Sequence, residues 1–424
     1  MHATGRTRVP GDKSLTHRAL YLASLARGES RIEGALTSLD ARSTARVLRG
    51  LGVAISPLAP GRVVRVRGAP WRRPHASLDC GNSGTTARLG LGLLAARRFR
   101  ATLTGDASLR RRPMRRVTTF LEQMGARVYF ADGEGLPLTI SGGPLQPITA
   151  ELPVSSAQLK GALLFAGVAG GVPVRIREPH GRSRDHSERL LRAFGYTVTD
   201  ETDGWIGFTP DGHIHPFELA IPGDISSAAF LLGAALLAEG GELTVEHVGV
   251  NPTRDGMLRV LARMGAPIRR LDQRYVMGEP VADLVAGPAA LSATEVTALE
   301  VPALIDEIPM LAVLASRARG VSVFREVGEL RVKESDRLAL IATNLIGLGL
   351  RAWIEGEDLF VEGSDRPPRG RVLTEGDHRL AMAFAVLGRT RGARVRVDDM
   401  ASAAVSFPGF LETLRKVTRT QATS

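Results

Sequence analysis

Residues 10–26 read PGDKSLTHRALYLASLA, and the same kind of opening returns five more times. CGNSGTTARLGLGLLA begins at Cys80, PVSSAQLKGALLFAGVA at Pro153, PGDISSAAFLLGAALLA at Pro222, IDEIPMLAVLASRA at Ile305 and EGDHRLAMAFAVLG at Glu375. Each starts with small or polar residues and runs into an Ala/Leu-rich stretch. The starts recur roughly every 70 to 80 residues, a period too long for a solenoid of helix pairs. A β-like stretch follows, as in ELTVEHV from Glu242 or VSVFREV from Val321. In most units an amphipathic segment then ends in a hydrophobic residue and a glycine, as in RVLRGLGVAI, TTFLEQMGARVYF, RLLRAFGYTV and RVLARMGAPI. Glycine there is the natural helix stop before a strand.

This pattern predicts an α/β protein of six βαβαββ-like units, with parallel strand pairs covered by helices. The first helix of each unit is apolar almost all round, which predicts burial inside a domain. Three units per domain give two similar domains. The break falls near Pro222, so residues 10–221 form the first domain and 222–424 the second. The N-terminal residues 1–9 are expected to cross back to the second.

With 424 residues, 44% hydrophobic and 23% charged, the chain has material for two full cores. No apolar run reaches the ~18 residues of a membrane span. One cysteine, Cys80, excludes a disulfide framework and a cysteine-based metal cluster, and a cytoplasmic setting is expected. The net charge of +11 calls for anionic partners. Aromatic content of 5% and the lack of a stacking series argue against RNA, and favour a small phosphorylated or carboxylated substrate.

Of 55 basic residues only Lys13, Lys160, Lys333 and Lys416 are lysine; 51 are arginine. Where any cation suffices, this chain uses arginine. A retained lysine therefore draws interest, because an ammonium can shift its pKa and move a proton. Lys13 does not belong to a Walker loop: Gly5 and Gly11 are one residue too far apart, and Asp12 intervenes. It stands instead at a helix start, where free N–H groups and partial positive charge make an anion site. Ser, Asp and Asn at such places are also ordinary caps. The set of polar starts, with lysines and arginines alongside, shifts the balance towards ligand binding. Such ends converging on a cleft would concentrate positive potential.

PGDKSLTHRAL, CGNSGTTAR, LRRRPM, SSAQLKGALL, RDHSER, IDEIPMLA, RVKESDRL and GDHRLAMAF run in this order along nearly the whole chain. Together they resemble the 5-enolpyruvylshikimate-3-phosphate synthase family, with SAQLK and RDHSE more similar to its class II pattern. The resemblance implies an inside-out α/β barrel fold of two closing domains. It implies transfer of the carboxyvinyl group of phosphoenolpyruvate to the 5-hydroxyl of shikimate 3-phosphate, by addition and then elimination of phosphate. It implies no metal or organic cofactor, no nucleic-acid or membrane partner, and a monomer.

Residue by residue, the resemblance implies that Lys13, Asn82, Gly84, Arg112, Gln158, Arg337 and Arg379 hold phosphoenolpyruvate. Lys13, Ser14, Arg18, Ser156, Gln158, Asp306 and Lys333 match the shikimate 3-phosphate set, with Ser155 and Arg184 at its phosphate. Asp306 matches the base for the 5-hydroxyl, Glu334 a proton-transfer carboxylate working near Lys13, and Lys13 is the third catalytic group. Lys160 matches a class II lysine without an implied role. Thr85 shapes the loop with Asn82. Glycine at position 84, where alanine crowds glyphosate in the family, predicts ordinary glyphosate sensitivity. Val405 replaces the lysine that many class I members carry before the serine of a late TFP-type motif, which leaves one cation fewer. The related UDP-N-acetylglucosamine enolpyruvyl transferase is a rival, but its loop cysteine falls at Ala107 here. A basic RNA-end-binding protein is the rival of another class, with scattered acids and few aromatics against it.

Overall fold

The computed structural model describes residues 1–179, 181–266 and 268–419. The chain divides into two compact units. One holds Gly11–Ile221 with Tyr275–Glu279; the other holds Met1–Pro10, Pro222–Arg274 and Pro280–Ser424. We call them the 11–221 unit and the 222–424 unit.

Each unit is built on three apolar helices, which we number in chain order. In the 11–221 unit they are α1 (Lys13–Leu25), α2 (Gly84–Ala95) and α3 (Ala157–Gly170). In the 222–424 unit they are α4 (Ile225–Leu236), α5 (Ile308–Ala315) and α6 (His378–Leu387). Every residue of α4 and α5 is buried, as expected of helices without a polar face. The core of each unit collects on these helices.

Their starts are closed by the residues that open each repeat. Asp12, Ser83, Ser156, Asp224 and Asp377 each accept a hydrogen bond from a first-turn N–H of the helix they precede. The start of α5 has no side-chain cap and carries Pro309 in its first turn, where a missing N–H costs nothing. The second helices of the units are amphipathic. Those ending at Leu51, Met124, Phe194, Met264 and Leu348 are followed by Gly52, Gly125, Gly195, Gly265 and Gly349, all at positive φ.

The third unit shows the full chain order: strand Ile148–Glu151, α3, strand Val174–Arg177, helix His186–Ala193, then strands Thr197–Asp200 and Trp205–Thr209. Its sheet pairs the first two strands in parallel and the rest antiparallel. Five four-stranded sheets share this order. In two of them the parallel edge strand comes from afar. Glu218–Ala220 pairs with Gly28–Glu33 in the 11–221 unit, and Gly5–Arg8 pairs with Leu243–Gly249 in the 222–424 unit. The sixth repeat departs from the pattern: among the described residues, Arg369–Val372 and Arg394–Val397 pair only with each other. No helix of the described residues is long and apolar enough to cross a membrane.

Close approach of α2 and α3 depends on Gly92. A Cβ there would lie 2.1 Å from the Ala162 carbonyl oxygen, and backbone cannot swing aside. Gly92→Ala is expected to lower unfolding stability by about 1–3 kcal/mol through overpacking, read as a lower urea midpoint. Gly347→Ala, where a Cβ meets nothing within 4 Å, should leave the midpoint unchanged or raise it.

Candidate active site

In the 11–221 unit the polar helix starts carry most of the residues in question. Asp12 caps α1 by accepting from Leu15 N–H at 2.8 Å, which fixes Lys13 and Ser14 in the first turn. The Lys13 ammonium pairs with Asp40 at 3.2 Å and stays partly exposed. One turn on, Arg18 is buried, and burial pulls its pKa down to about 10 against the pull of Glu188. Its guanidinium donates to Ser187 Oγ at 2.8 Å, the Ser14 carbonyl at 3.1 Å and the Ala157 carbonyl at 3.2 Å. Arg18 thus ties the start of α1 to the start of α3.

At the start of α2, Asn82 donates to Asp106 and accepts from Arg112 Nη2 at 3.0 Å. Gln158, in the first turn of α3, donates to Thr85 Oγ1 at 3.0 Å and accepts from Arg88 Nη1 at 2.5 Å. Gly84 lies beneath two guanidiniums: a Cβ there would stand 2.8 Å from Arg88 Nη1 and 3.7 Å from Arg112 Nη1. Ser156 caps α3, and Ser155 donates to the Gly181 carbonyl at 3.0 Å.

In the 222–424 unit the centre is Asp306, two residues before α5. Its carboxylate lies 3.6 Å from Arg337 Nη1, 3.7 Å from Arg379 Nη2 and 3.9 Å from Arg254 Nη1. Arg379 also donates to the Asp306 carbonyl at 3.1 Å. Asp377 organises this group. One oxygen caps α6 through Arg379 N–H at 2.9 Å; the other accepts from Arg337 Nε at 2.6 Å and Ser335 Oγ at 3.2 Å. Arg337 is almost wholly buried. Burial opposes its charge, but Glu334, Asp377 and Asp306 outweigh burial and hold its pKa above the ordinary value. Glu334 sits on Arg337 as its i,i+3 partner while keeping 29% of its side chain exposed. Lys333 pairs with Glu329 at 3.3 Å.

Arg88, Asp40 and Arg254 were not singled out from the sequence. Arg88 could have been found at four residues past Gly84, on the same helix face. Arg254 precedes Asp255 at the start of a second helix, as Arg184 precedes Asp185 in the preceding unit. Asp40 gives no sequence signal beyond its place in a first turn.

Each unit by itself offers groups that can bind an anion, and the 222–424 unit adds carboxylates that can move protons. Guanidiniums in fork geometry suit phosphate and carboxylate, serine hydroxyls and helix N–H groups add donors, and Asp306 offers a base already held in place.

The sequence profile of the family described as EPSP synthase (3-phosphoshikimate 1-carboxyvinyltransferase) matches residues 2–414. The chain belongs to the EPSP synthase family. A 3-phosphoshikimate 1-carboxyvinyltransferase of Synechococcus sp. (strain RCC307) is 47% identical over 98% of this chain and 97% of its own length. One from Alkalilimnicola ehrlichii is 46% identical, covering 96% and 92%. Among solved structures, EPSP synthase from Acinetobacter baumannii superposes with a TM-score of 0.88 at 35% identity, covering 98% of this chain and 96% of that one. The enolpyruvyl transferase NikO from Streptomyces tendae, at TM-score 0.76 and 19% identity over 98% and 95%, shares the fold. Membership makes the chain a carboxyvinyl transferase of the shikimate pathway to aromatic compounds. Neither rival reading gains from these EPSP synthase relatives.

His17, one turn into α1, is wholly buried and donates to or accepts from Thr44 Oγ1 at 2.6 Å. Burial, with Lys13 and Arg18 adding to it against Asp40, pushes its pKa from 6.5 to about 3. The unfolded imidazole takes a proton near pH 6.5 and the folded one does not. Stability from this group is therefore full above 6.5 and lost as the pH falls towards 3, by roughly 1.4 kcal/mol per pH unit. His17→Asn should flatten the decline in urea midpoint between pH 6.5 and 5; an equal decline in variant and parent would refute this.

Proposed function

We propose that this EPSP synthase family member transfers the carboxyvinyl group of phosphoenolpyruvate to the 5-hydroxyl of shikimate 3-phosphate and releases phosphate. The observation that carries the proposal is Asp306, a carboxylate with Arg254, Arg337 and Arg379 all within 4 Å. Three guanidiniums are gathered around one carboxylate, and their fork-shaped donors suit the phosphate and carboxylate of an anionic substrate.

Asp306 takes the proton of the 5-hydroxyl as its oxygen attacks the central carbon of phosphoenolpyruvate. The methylene carbon receives a proton, with Lys13 and Glu334 the acids for that step. The same acid group, now deprotonated, then takes a proton back from the new methyl group of the tetrahedral adduct as the C–O bond to phosphate breaks, which restores the double bond and releases phosphate. In the 11–221 unit, Ser14, Arg18, Ser155, Ser156, Gln158 and Arg184 serve shikimate 3-phosphate. Lys13, Asn82, Gly84 and Arg112 serve phosphoenolpyruvate there, with Gln158 shared. In the 222–424 unit, Arg337 and Arg379 hold phosphoenolpyruvate, and Lys333 adds a cation for shikimate 3-phosphate. Arg88 joins the set through its hydrogen bond to Gln158. The protein is taken to work as a cytoplasmic monomer and without nucleic acid, the last of these supported by its low aromatic content.

Purified protein given both substrates should release inorganic phosphate, and either substrate alone should give none. Asp306→Ala and Lys13→Met should each lower turnover by about 10²–10⁴, with circular dichroism unchanged. Absence of release dependent on both substrates would overturn the proposal.

A further inference from the structure

Lys160 is one of four lysines in the chain, and its side chain is wholly inaccessible. Its three donors are taken up inside the protein. Its ammonium has three N–H groups and three close acceptors: Glu178 Oε2 at 3.0 Å, Glu188 Oε1 at 2.8 Å and the Ser183 carbonyl at 3.0 Å. A tetrahedral point cation fills this place, whereas a planar guanidinium is larger and fans its donors in one plane. That geometry accounts for a lysine where the chain otherwise uses arginine.

Glu178 is saturated in turn. One oxygen accepts from Ser156 N–H at 2.9 Å and Ser183 Oγ at 2.5 Å; the other accepts from Ser183 N–H at 2.9 Å and from Lys160. Ser156 is the cap of α3, and Ser183 lies in the segment before helix His186–Ala193. One carboxylate therefore clamps both segments that carry Ser155, Ser156 and Arg184. Glu188 contributes mainly charge: among the described residues its second oxygen is buried without a hydrogen-bond partner. Beside it, Arg18 donates to Ser187, and Gly161 leaves the room, since a Cβ there would lie 2.9 Å from Ser187 Oγ and 3.3 Å from Arg18 Nη2. Burial opposes the charge on Lys160, yet Glu188 and Glu178 raise its pKa, so it stays an ammonium.

We infer that Lys160 and Glu178 are positioning residues that build the corner receiving the phosphate of shikimate 3-phosphate. The inference rests on the assignment of Ser155, Ser156, Arg18 and Arg184 to that phosphate. Lys160 offsets one of the two negative charges of Glu178 and Glu188; Glu178 sets the serines and the 183–184 backbone. A cation that merely stabilised the fold would affect both substrates alike, whereas a corner-builder affects one.

The test is steady-state kinetics on the full chain. Lys160→Met should raise the KM for shikimate 3-phosphate by about tenfold or more, the size of one charge-assisted hydrogen bond. The KM for phosphoenolpyruvate should move by less than about twofold. The double variant Lys160→Met with Glu188→Gln restores charge balance while sparing Glu178, and should return the first KM to within about threefold of the parent. A parental KM in the single variant, equal effects on both substrates, or a double variant no better than the single would each overturn the inference. If Lys160→Met does not fold, Ser183→Ala removes one donor to Glu178 and should still raise the KM for shikimate 3-phosphate alone; no change refutes the clamp. Calorimetry of the unaltered protein separates the layers. Failure to bind shikimate 3-phosphate there overturns the functional assignment itself, and this inference with it.

Discussion

A helix buried on all sides has only its two ends in which to satisfy the backbone groups left without intrahelical partners. Each unit of this protein is built around three such helices, and their starts must present donors and partial positive charge somewhere. Asp12, Ser83, Ser156, Asp224 and Asp377 meet part of that demand. The neighbouring residues inherit a polar, electropositive setting at the edge of an apolar core. A repeat whose core is made of helices thus concentrates its polar chemistry at the repeat openings.

Charge is then disposed by a few acids that each hold several donors. Asp377 caps α6 while orienting Arg337. Glu178 binds Ser156, Ser183 and Lys160. Burying a cation costs several kcal/mol unless it is paired and hydrogen-bonded; Arg337 and Lys160 meet that condition inside their own units, while Arg18 is hydrogen-bonded to neutral acceptors. The surface arginines carry looser pairs, worth little individually.

The repeats were legible because burial and helix termination leave marks within a short window. Apolar runs announced α1 to α6, and hydrophobic–glycine pairs announced helix ends that do turn at positive φ, as at Gly125 and Gly265. Strand partners were less legible where pairing is distant: nothing near Gly28 points to Glu218–Ala220. The sixth repeat looks like the others in its opening but keeps only a two-stranded sheet. For the candidate site, motif order singled out Lys13, Asp306 and the arginines. Arg254 was hidden among 51 arginines, and Lys160 was visible as an oddity whose partners, 18 and 28 residues away, only the fold brings to it.

Capped helix starts are the proposed binding places of the anionic substrates. Hydrogen exchange read by mass spectrometry, with and without shikimate 3-phosphate, tests this most directly. Slowed exchange is expected in peptides covering the first turns of α1 and α3 and the segment around Ser183, with the C-terminal turns of the same helices unchanged. Protection confined to those C-terminal turns, or to neither end, would contradict it.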